Sequence, residues 1–396
     1  MNEPVPINDS MYWVGVNDRE THLFESLWPL PRGIAYNSYF IKDRKSVLVD
    51  TVKAPYMNEF IDKIKNLAGS SGIDYLVINH MEPDHSGAIA VLREIFPDII
   101  IVGNKKTMEF LNGFYGITDN VHVVSDGDTL KLGEHKLSFF LTPMVHWPET
   151  MMTFEENSGV LFTGDAFGGF GTLDGGIFDD ELDMSFYKDE TLRYFSNIVG
   201  KYSPMVLRAI DKVSGLDIRT IAATHGPVLR KNPEAIVDDY RSWSSYETER
   251  GAVIVYASMY GNTRKMAEET ARSIALMGID KVVLHDISKT HMSYIIRDIW
   301  RYRGVVMGSC TYNTKIFPPM EMLLDFFENI GMKNRELGIF GSYSWSGGAV
   351  TRLRGFAEKC GWNLVEPVVE SRHSPGSEDL QYCAEMGKNL AKAIMR

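Results

Sequence analysis

The chain has 396 residues, of which 44% are hydrophobic and 23% charged, with 41 Lys+Arg against 52 Asp+Glu for a formal net charge of -11. That length asks for two domains, and the composition is that of a soluble globular protein. The negative balance works against nucleic acid, whose phosphates it would repel, and no apolar run is long enough to cross a bilayer.

From the N-terminus to about residue 245, short strand signals alternate with helices. The opening Met1-Asn2-Glu3-Pro4 lacks the basic and apolar regions of a signal peptide. Tyr39-Phe40-Ile41 and Ser46-Val47-Leu48-Val49 flank the turn signal Asp43-Arg44-Lys45, which predicts a hairpin. Asn58 to Leu67 carries helical apolar spacing at Phe60, Ile61, Ile64 and Leu67. Strand-like runs recur at Tyr75–Ile78, Ile99–Val102, Val121–Val124, Leu137–Leu141, Val160–Phe162 and Thr220–Ala223. This mixture predicts a layered α/β or α+β domain. The polar stretch from Ser244 to Arg250 marks the expected boundary. Beyond it, strands at Ala252–Tyr256, Lys281–Leu284, Gly304–Met307 and Glu336–Phe340 are spaced by helical stretches, the first at Thr263–Met277. That pattern describes a doubly wound parallel sheet.

Three cysteines, Cys310, Cys360 and Cys383, are widely spaced and form no C-x-x-C pair. They read as reduced thiols in a cytoplasmic protein. A zinc ribbon, a thioredoxin-type site and a fused rubredoxin-type iron site are thereby excluded.

The densest chemistry lies in His80-Met81-Glu82-Pro83-Asp84-His85, directly after an apolar run. His146, Asp165 and His225 each follow a later strand-like run. Strand ends along one sheet edge are a rigid place to gather ligands from distant points in sequence. Singly, each residue has an ordinary reading: a histidine at a strand end caps or faces solvent, Asp165 after Gly164 makes a turn, and Glu82 and Asp84 are solvated loop charges. The ordered set of four histidines and three carboxylates is better explained by two metal ions. Imidazole and carboxylate without thiolate suit iron, manganese or zinc. Two divalent ions bring four positive charges, of which Glu82, Asp84 and Asp165 offset three. Asp165, alone on its strand, is the expected bridge. Glu149 and Asn79 are candidates to orient the ligands.

At these residues the chain resembles the metallo-β-lactamase superfamily, an αββα sandwich whose hydrolytic zinc members carry H-x-H-x-D-H. Glu82 stands here in place of the second histidine. That change, with His146-Trp147-Pro148-Glu149-Thr150, resembles the flavodiiron proteins (A-type flavoproteins), and the resemblance extends over nearly the whole chain. It implies a metallo-β-lactamase-like diiron domain over 1–248 and a flavodoxin-like FMN-binding domain over 251–396. One iron is implied to take His80, Glu82 and His146. The other takes Asp84, His85 and His225, with Asp165 between them; the family tolerates His85 turned away.

Three loops of the second half support a flavin. Ser258-Met259-Tyr260-Gly261-Asn262-Thr263 leads from a strand into a helix, where hydroxyls and backbone N–H groups can cradle a phosphate. Neither G-x-x-x-x-G-K-[ST] nor G-x-G-x-x-G is present, which excludes a nucleoside triphosphatase loop and leaves no dinucleotide fingerprint. Ser309-Cys310-Thr311-Tyr312-Asn313-Thr314 and Ser342-Tyr343-Ser344-Trp345-Ser346-Gly347-Gly348 follow the third and fourth strands. Small polar residues let backbone approach a planar ring, and aromatics cover its faces. In isolation Tyr312 and Trp345 would be exposed loop aromatics. By resemblance to the flavodoxin fold, residues 258–263 hold the phosphate of FMN, and the other two loops flank its ring, with Trp345 against it.

The resemblance implies reduction of O2 to water, of NO to N2O, or of both, with electrons passed through FMN from a separate donor, rubredoxin being favoured. Diiron and FMN together store the four electrons that dioxygen needs; two suffice for a pair of nitric oxide molecules. It also implies a head-to-tail homodimer or a dimer of dimers. Two competing readings are a dizinc hydrolase of metallo-β-lactamase type with an accessory flavodoxin domain, in which metal-bound hydroxide attacks an ester or phosphodiester, and a non-enzymatic electron carrier.

Overall fold

The computed structural model describes residues 3–69 and 72–396, so Met1 and Asn2 of the opening segment lie outside the described residues. The chain divides into two compact units, one ending at Arg241 and the other running Ser242–Arg396.

The first unit is built on two sheets. One, of seven strands, has the order Val5–Pro6, Met11–Trp13, Tyr39–Ile41, Val47–Val49, Tyr75–Val77, Ile100–Gly103, Val121–Val123. The other, of five, has the order Thr129–Lys131, Lys136–Leu141, Met151–Glu155, Val160–Phe162, Thr220–Ala222. A common core joins Trp13, Tyr39 and Val77 of the first sheet to Phe139, Phe162 and Ala222 of the second. Helix Met57–Ala68 buries Phe60, Ile61 and Ile64, the face its sequence spacing marks. The Tyr39–Ile41 and Val47–Val49 strands pair antiparallel around the expected hairpin.

Strand direction decides where the loops emerge. Val160–Phe162 and Thr220–Ala222 run parallel, so the segments leading to Asp165 and His225 leave the same edge. Met151–Glu155 runs antiparallel to Val160–Phe162, so the loop before it, which carries His146, lies at that edge too. The His80 loop joins them: Met151 N donates to Asn79 O at 3.0 Å. Met151–Glu155 has no alternating pattern because all five residues are buried, and a strand buried on both faces loses its period-two signature.

The second unit carries a six-stranded sheet whose main path is Val282–Asp286, Glu249–Ala257, Tyr302–Tyr312, Glu336–Tyr343, Asn363–Arg372. Every pairing along it is parallel, the doubly wound arrangement expected from sequence. Its core packs Ile254, Val306 and Phe340 against Met266 and Leu390. Glu249 and Arg250, read in the sequence as the end of a polar boundary, instead open the first strand. The Asn363–Arg372 strand has no counterpart in the sequence reading, being half-exposed along most of its length.

Candidate metal centre and flavin cavity

Four strand ends bring the seven metal-ligand candidates of the first unit together. They fall into two groups: His80, Glu82, His146 and Asp165, and Asp84, His85 and His225, with ligand atoms within 4.8 Å of one another in each. In the first group His80 Nε2 lies 3.1 Å from Glu82 Oε2, and His146 Nε2 lies 3.3 Å from the same oxygen. In the second, Asp84 Oδ2 is 3.3 Å from His85 Nε2 and 3.4 Å from His225 Nε2. Asp165 faces both. Its Oδ2 is 3.1 Å from His146 Nε2 and 3.5 Å from His80 Nε2, while its Oδ1 is 3.1 Å from His85 Nε2 and 3.7 Å from His225 Nε2.

The surroundings hold these groups in place. His80 Nδ1 lies 2.8 Å from Glu149 Oε1, which also accepts from Met81 N. His225 Nδ1 lies 2.8 Å from Ala35 O. A carboxylate or carbonyl behind the imidazole fixes which ring nitrogen faces the centre. Asn79 does a different job: its Nδ2 donates to Asp50 Oδ2 and its Oδ1 accepts from Thr153, so it braces the loop and not a ligand. Tyr194 and Thr224 donate hydroxyl protons to the two oxygens of Asp165. Tyr194 ends helix Met184–Tyr194, and a π-helical turn, Phe195–Val199, follows. Such turns gather at functional sites. The sequence reading missed Tyr194 and Thr224, because neither belongs to a local ligand pattern.

The electrostatics call for cations. Burial pushes Asp165 up, yet His80, His85 and His146 hold its carboxyl well below the usual range. Burial works the same way on Glu82, and hydrogen bonding with His146 and His80 brings it down to about 2. Burial opposes the charge on His146, but Asp165 and Glu82 raise it to about 9. Both Asp84 oxygens are buried without a hydrogen-bond partner. A buried carboxylate that accepts no hydrogen bond is costly unless a cation meets it, and the donor set fits two metal ions. A cavity of about 590 Å³ opens onto Glu82 and Asp84, walled by Leu23, Phe24, Pro55 and Phe114 and bordered by Glu25 and Lys53.

In the second unit the three predicted loops converge on a cavity of about 350 Å³. It is lined by residues 258–260, 262–263, 310–314 and 342–346, together with His373. Gly261, Ser309, Gly347 and Gly348 shape the loops without lining it. Gly261 sits at φ +89° and caps helix Asn262–Leu276, a conformation that L side chains resist. Its N–H donates to Ser258 Oγ at 3.0 Å. Ser309 is buried and its hydroxyl donates to Cys310 O. Gly348 lies where a Cβ would be 2.2 Å from Thr314 O. Thr263 and Ser342 hydroxyls meet at 2.9 Å, joining the first loop to the third. The helix N-terminus and neutral donors fit a phosphate, and Tyr260, Tyr312 and Trp345 fit a planar ring. Tyr260 and Trp345 are 90% and 80% exposed, ready to cover such a ring.

Comparison with known proteins decides the family. Residues 34–226 match the family described as ODP family beta lactamase, and residues 254–387 match Flavodoxin. A nitric oxide reductase of Moorella thermoacetica is 35% identical, with all of both chains covered. This chain belongs to the flavodiiron family. An anaerobic nitric oxide reductase flavorubredoxin of Escherichia coli is 34% identical over 98% of this chain and 82% of its own. Among solved structures, the rubredoxin:oxygen oxidoreductase of Desulfovibrio gigas superposes with TM-score 0.95 at 30% identity, covering 99% of each chain. The flavodiiron protein of Giardia intestinalis gives 0.94 at 26%, covering 99% of this chain and 97% of that one. This flavodiiron chain is accordingly an oxidoreductase with a metallo-β-lactamase-like unit followed by a flavodoxin-like unit, and the hydrolase alternative is disfavoured.

Proposed function

We propose that the chain reduces nitric oxide, dioxygen or both at two iron ions held in the first unit, with FMN in the second unit supplying electrons from a separate rubredoxin-type donor. His80, Glu82 and His146 would hold one ion and Asp84, His85 and His225 the other, with Asp165 available to both. The observation that carries this reading is the two-faced position of Asp165, one oxygen toward each histidine set. Bound iron supplies Lewis acidity and one-electron changes, and bound FMN takes electrons in pairs and passes them on singly.

The side chains do the rest. Glu149 and the Ala35 carbonyl fix the imidazole orientations of His80 and His225. Tyr194 and Thr224 hold the Asp165 carboxylate in one plane by donating to both oxygens. Glu82, in place of a third imidazole on its side, adds a hard anionic donor that favours higher oxidation states. The apolar walls of Leu23, Phe24 and Phe114 suit a small uncharged substrate. Ser258, Thr263 and the N-terminus of helix Asn262–Leu276 would hold the FMN phosphate through neutral donors.

Membership of the family whose relatives are named nitric oxide reductase and oxygen oxidoreductase supports both substrates. A head-to-tail homodimer extends the proposal. Exposed Tyr260 and Trp345 at the flavin cavity and Leu23 and Phe114 at the metal cavity are apolar surface for a second copy to cover. Turnover per chain that stays constant on dilution into a monomeric range would refute the dimer. Three free thiols support a reducing, cytoplasmic setting. Among the described residues no helix is long and apolar enough to cross a membrane.

The test is anaerobic reduction of the iron-loaded holoprotein, then stoichiometric NO or O2 while flavin and iron spectra are followed. Reoxidation by either gas, with N2O released in the NO arm, supports the proposal. Two zincs, no iron and esterase turnover would overturn it.

A further inference from the structure

Glu25 belongs to no ligand pattern of the sequence; it stands in Leu23-Phe24-Glu25-Ser26-Leu27-Trp28. The fold places it at the border of the metal cavity, onto which Glu82 and Asp84 also open. We infer that Glu25 screens this cavity against small anions, so that the site admits an uncharged diatomic gas and holds back azide, cyanide or nitrite. This rests on the reading of the cavity as the entry to two bound metal ions.

The backbone gives the first argument. Strands Leu23–Phe24 and Trp28–Pro29 pair antiparallel, and Leu27 N donates to Phe24 O at 2.9 Å to close the turn between them. Its central residues, Glu25 and Ser26, have φ +49° and +58°. A turn with two left-handed residues takes Asn-Gly or Gly-Gly most readily. A glutamate there is held against its preference, and such outliers gather where a side chain has a task. Buried Phe24 anchors the hairpin, its ring 5.5 Å from that of His225 and 5.5 Å from that of Phe170. Buried Trp28 donates its Nε1 proton to Glu25 Oε2 at 3.1 Å. The carboxylate is therefore pinned at the cavity border.

The charge inventory gives the second. The charged side chains lining the cavity are Glu25, Lys53, Glu82 and Asp84. Glu82 and Asp84 are metal-ligand candidates, so bound ions take up their charge. Lys53 is offset from behind: its Nζ donates to Thr21 Oγ1 at 3.0 Å and lies 3.7 Å from Oδ2 of buried Asp18. Among the described residues no cationic side chain pairs with Glu25, whose hydrogen bond comes from the neutral Trp28 indole. Glu25 is thus the uncompensated charge of the cavity. Partial burial and the neighbouring Glu82 raise its carboxyl above the usual range, against His146 and Trp28, so its negative charge is read at pH 8.

The consequence is selectivity by charge. Two divalent ions bring four positive charges against the three carboxylates Glu82, Asp84 and Asp165, and two trivalent ions bring six. The filled centre therefore attracts anions, and the apolar walls of Leu23, Phe24, Pro55 and Phe114 concentrate that pull. Glu25 opposes it at the border. A cavity of about 590 Å³ spans about 10 Å, and unit charges that far apart, at an effective dielectric between ~20 and ~80, change an equilibrium constant by about 2- to 17-fold. An uncharged gas feels none of this.

The test is azide titration of oxidised, iron-loaded, flavin-containing protein at pH 8, in low and high salt, followed by the charge-transfer band of azide on iron. The proteins compared are wild type, E25Q and E25D, each with its iron content measured. The neutral comparator is NO, its association followed in the reduced proteins. E25Q should bind azide about 2- to 17-fold more tightly than wild type at low salt, with a smaller gap at high salt. E25D keeps the charge and should follow wild type, and the NO association rates of E25Q and wild type should agree within about twofold. Equal azide affinity in E25Q and wild type, a gap that ignores salt, or E25D departing as far as E25Q would overturn the inference. Equal gains for azide and NO would overturn it too, marking a steric gate in place of a charge screen. Wild-type protein that takes up no iron would overturn the reading of the metal centre as well.

Discussion

Replacing Asp165 by Asn perturbs the point on which the metal centre turns. The side chain is fully buried. Its Oδ2 accepts from Tyr194 at 2.8 Å and lies 3.1 Å from His146 Nε2; its Oδ1 accepts from Thr224 and lies 3.1 Å from His85 Nε2. An amide keeps the shape but turns one of these acceptors into a donor, and whichever oxygen is lost faces a hydroxyl that already donates. The negative charges available to two divalent ions fall from three to two. Hydrogen bonds to charged groups contribute about 1.5–3 kcal/mol each. A loss of about 3 kcal/mol corresponds to about 100-fold weaker metal binding. The assay is competition with a chelator of known affinity, with iron read by elemental analysis and FMN by absorbance. D165N should keep its FMN and surrender metal from both sets together, because each set uses one face of the same carboxylate. A variant that retains two irons within threefold of wild-type affinity, or loses one ion and keeps the other unchanged, would refute the reasoning.

Other outcomes follow from the same geometry. E149Q weakens the acceptor behind His80 Nδ1, so iron affinity should fall about 10- to 100-fold, chiefly in the set containing His80, as read by chelator competition. G261A forces an L side chain into a left-handed cap at a cost of about 1–2 kcal/mol; FMN dissociation followed by fluorescence should be about 5- to 30-fold tighter in wild type, with iron content unchanged. W345A should shift the flavin potential or loosen the flavin while leaving iron in place, and loss of iron would contradict the separation of the two sites. Away from both sites, burial pushes Asp298 up, but His285 and Arg297 hold it below the usual range. A depressed carboxyl stabilises the fold above its unfolded pKa and loses that contribution as pH falls through the folded one. The stability gap between wild type and D298N, measured by urea unfolding, should therefore be full at pH 6 and close on acidification below about pH 4.

The candidate metal centre was legible because its candidate ligands are chemically rare at strand ends and occur in order, His80 to His225, with two carboxylates inside one short loop. The place of Asp165 between the two histidine sets agrees with its choice as the expected bridge, made because no other candidate shares its strand. Tyr194 and Thr224 were not, because a tyrosine at a helix end has no local pattern and acts only once the fold carries it to Asp165. Asn79 has the right chemistry beside His80, yet Asp50, just past the neighbouring strand Val47–Val49, claims its amide. The parallel sheet of the second unit showed in its regular spacing, whereas Met151–Glu155 and Asn363–Arg372 were hidden for opposite reasons, one buried on both faces and the other half-exposed. His373 was invisible because nothing in its sequence neighbourhood points to a ligand; only the pairing of strand ends brings it to the flavin loops.

The most direct measurement is anomalous diffraction at the iron edge from crystals of iron-loaded protein. The account predicts two peaks per chain in the first unit, one among His80, Glu82 and His146, the other among Asp84, His85 and His225, with one oxygen of Asp165 against each. A single peak, or two peaks that leave Asp165 bound to only one of them, would contradict it.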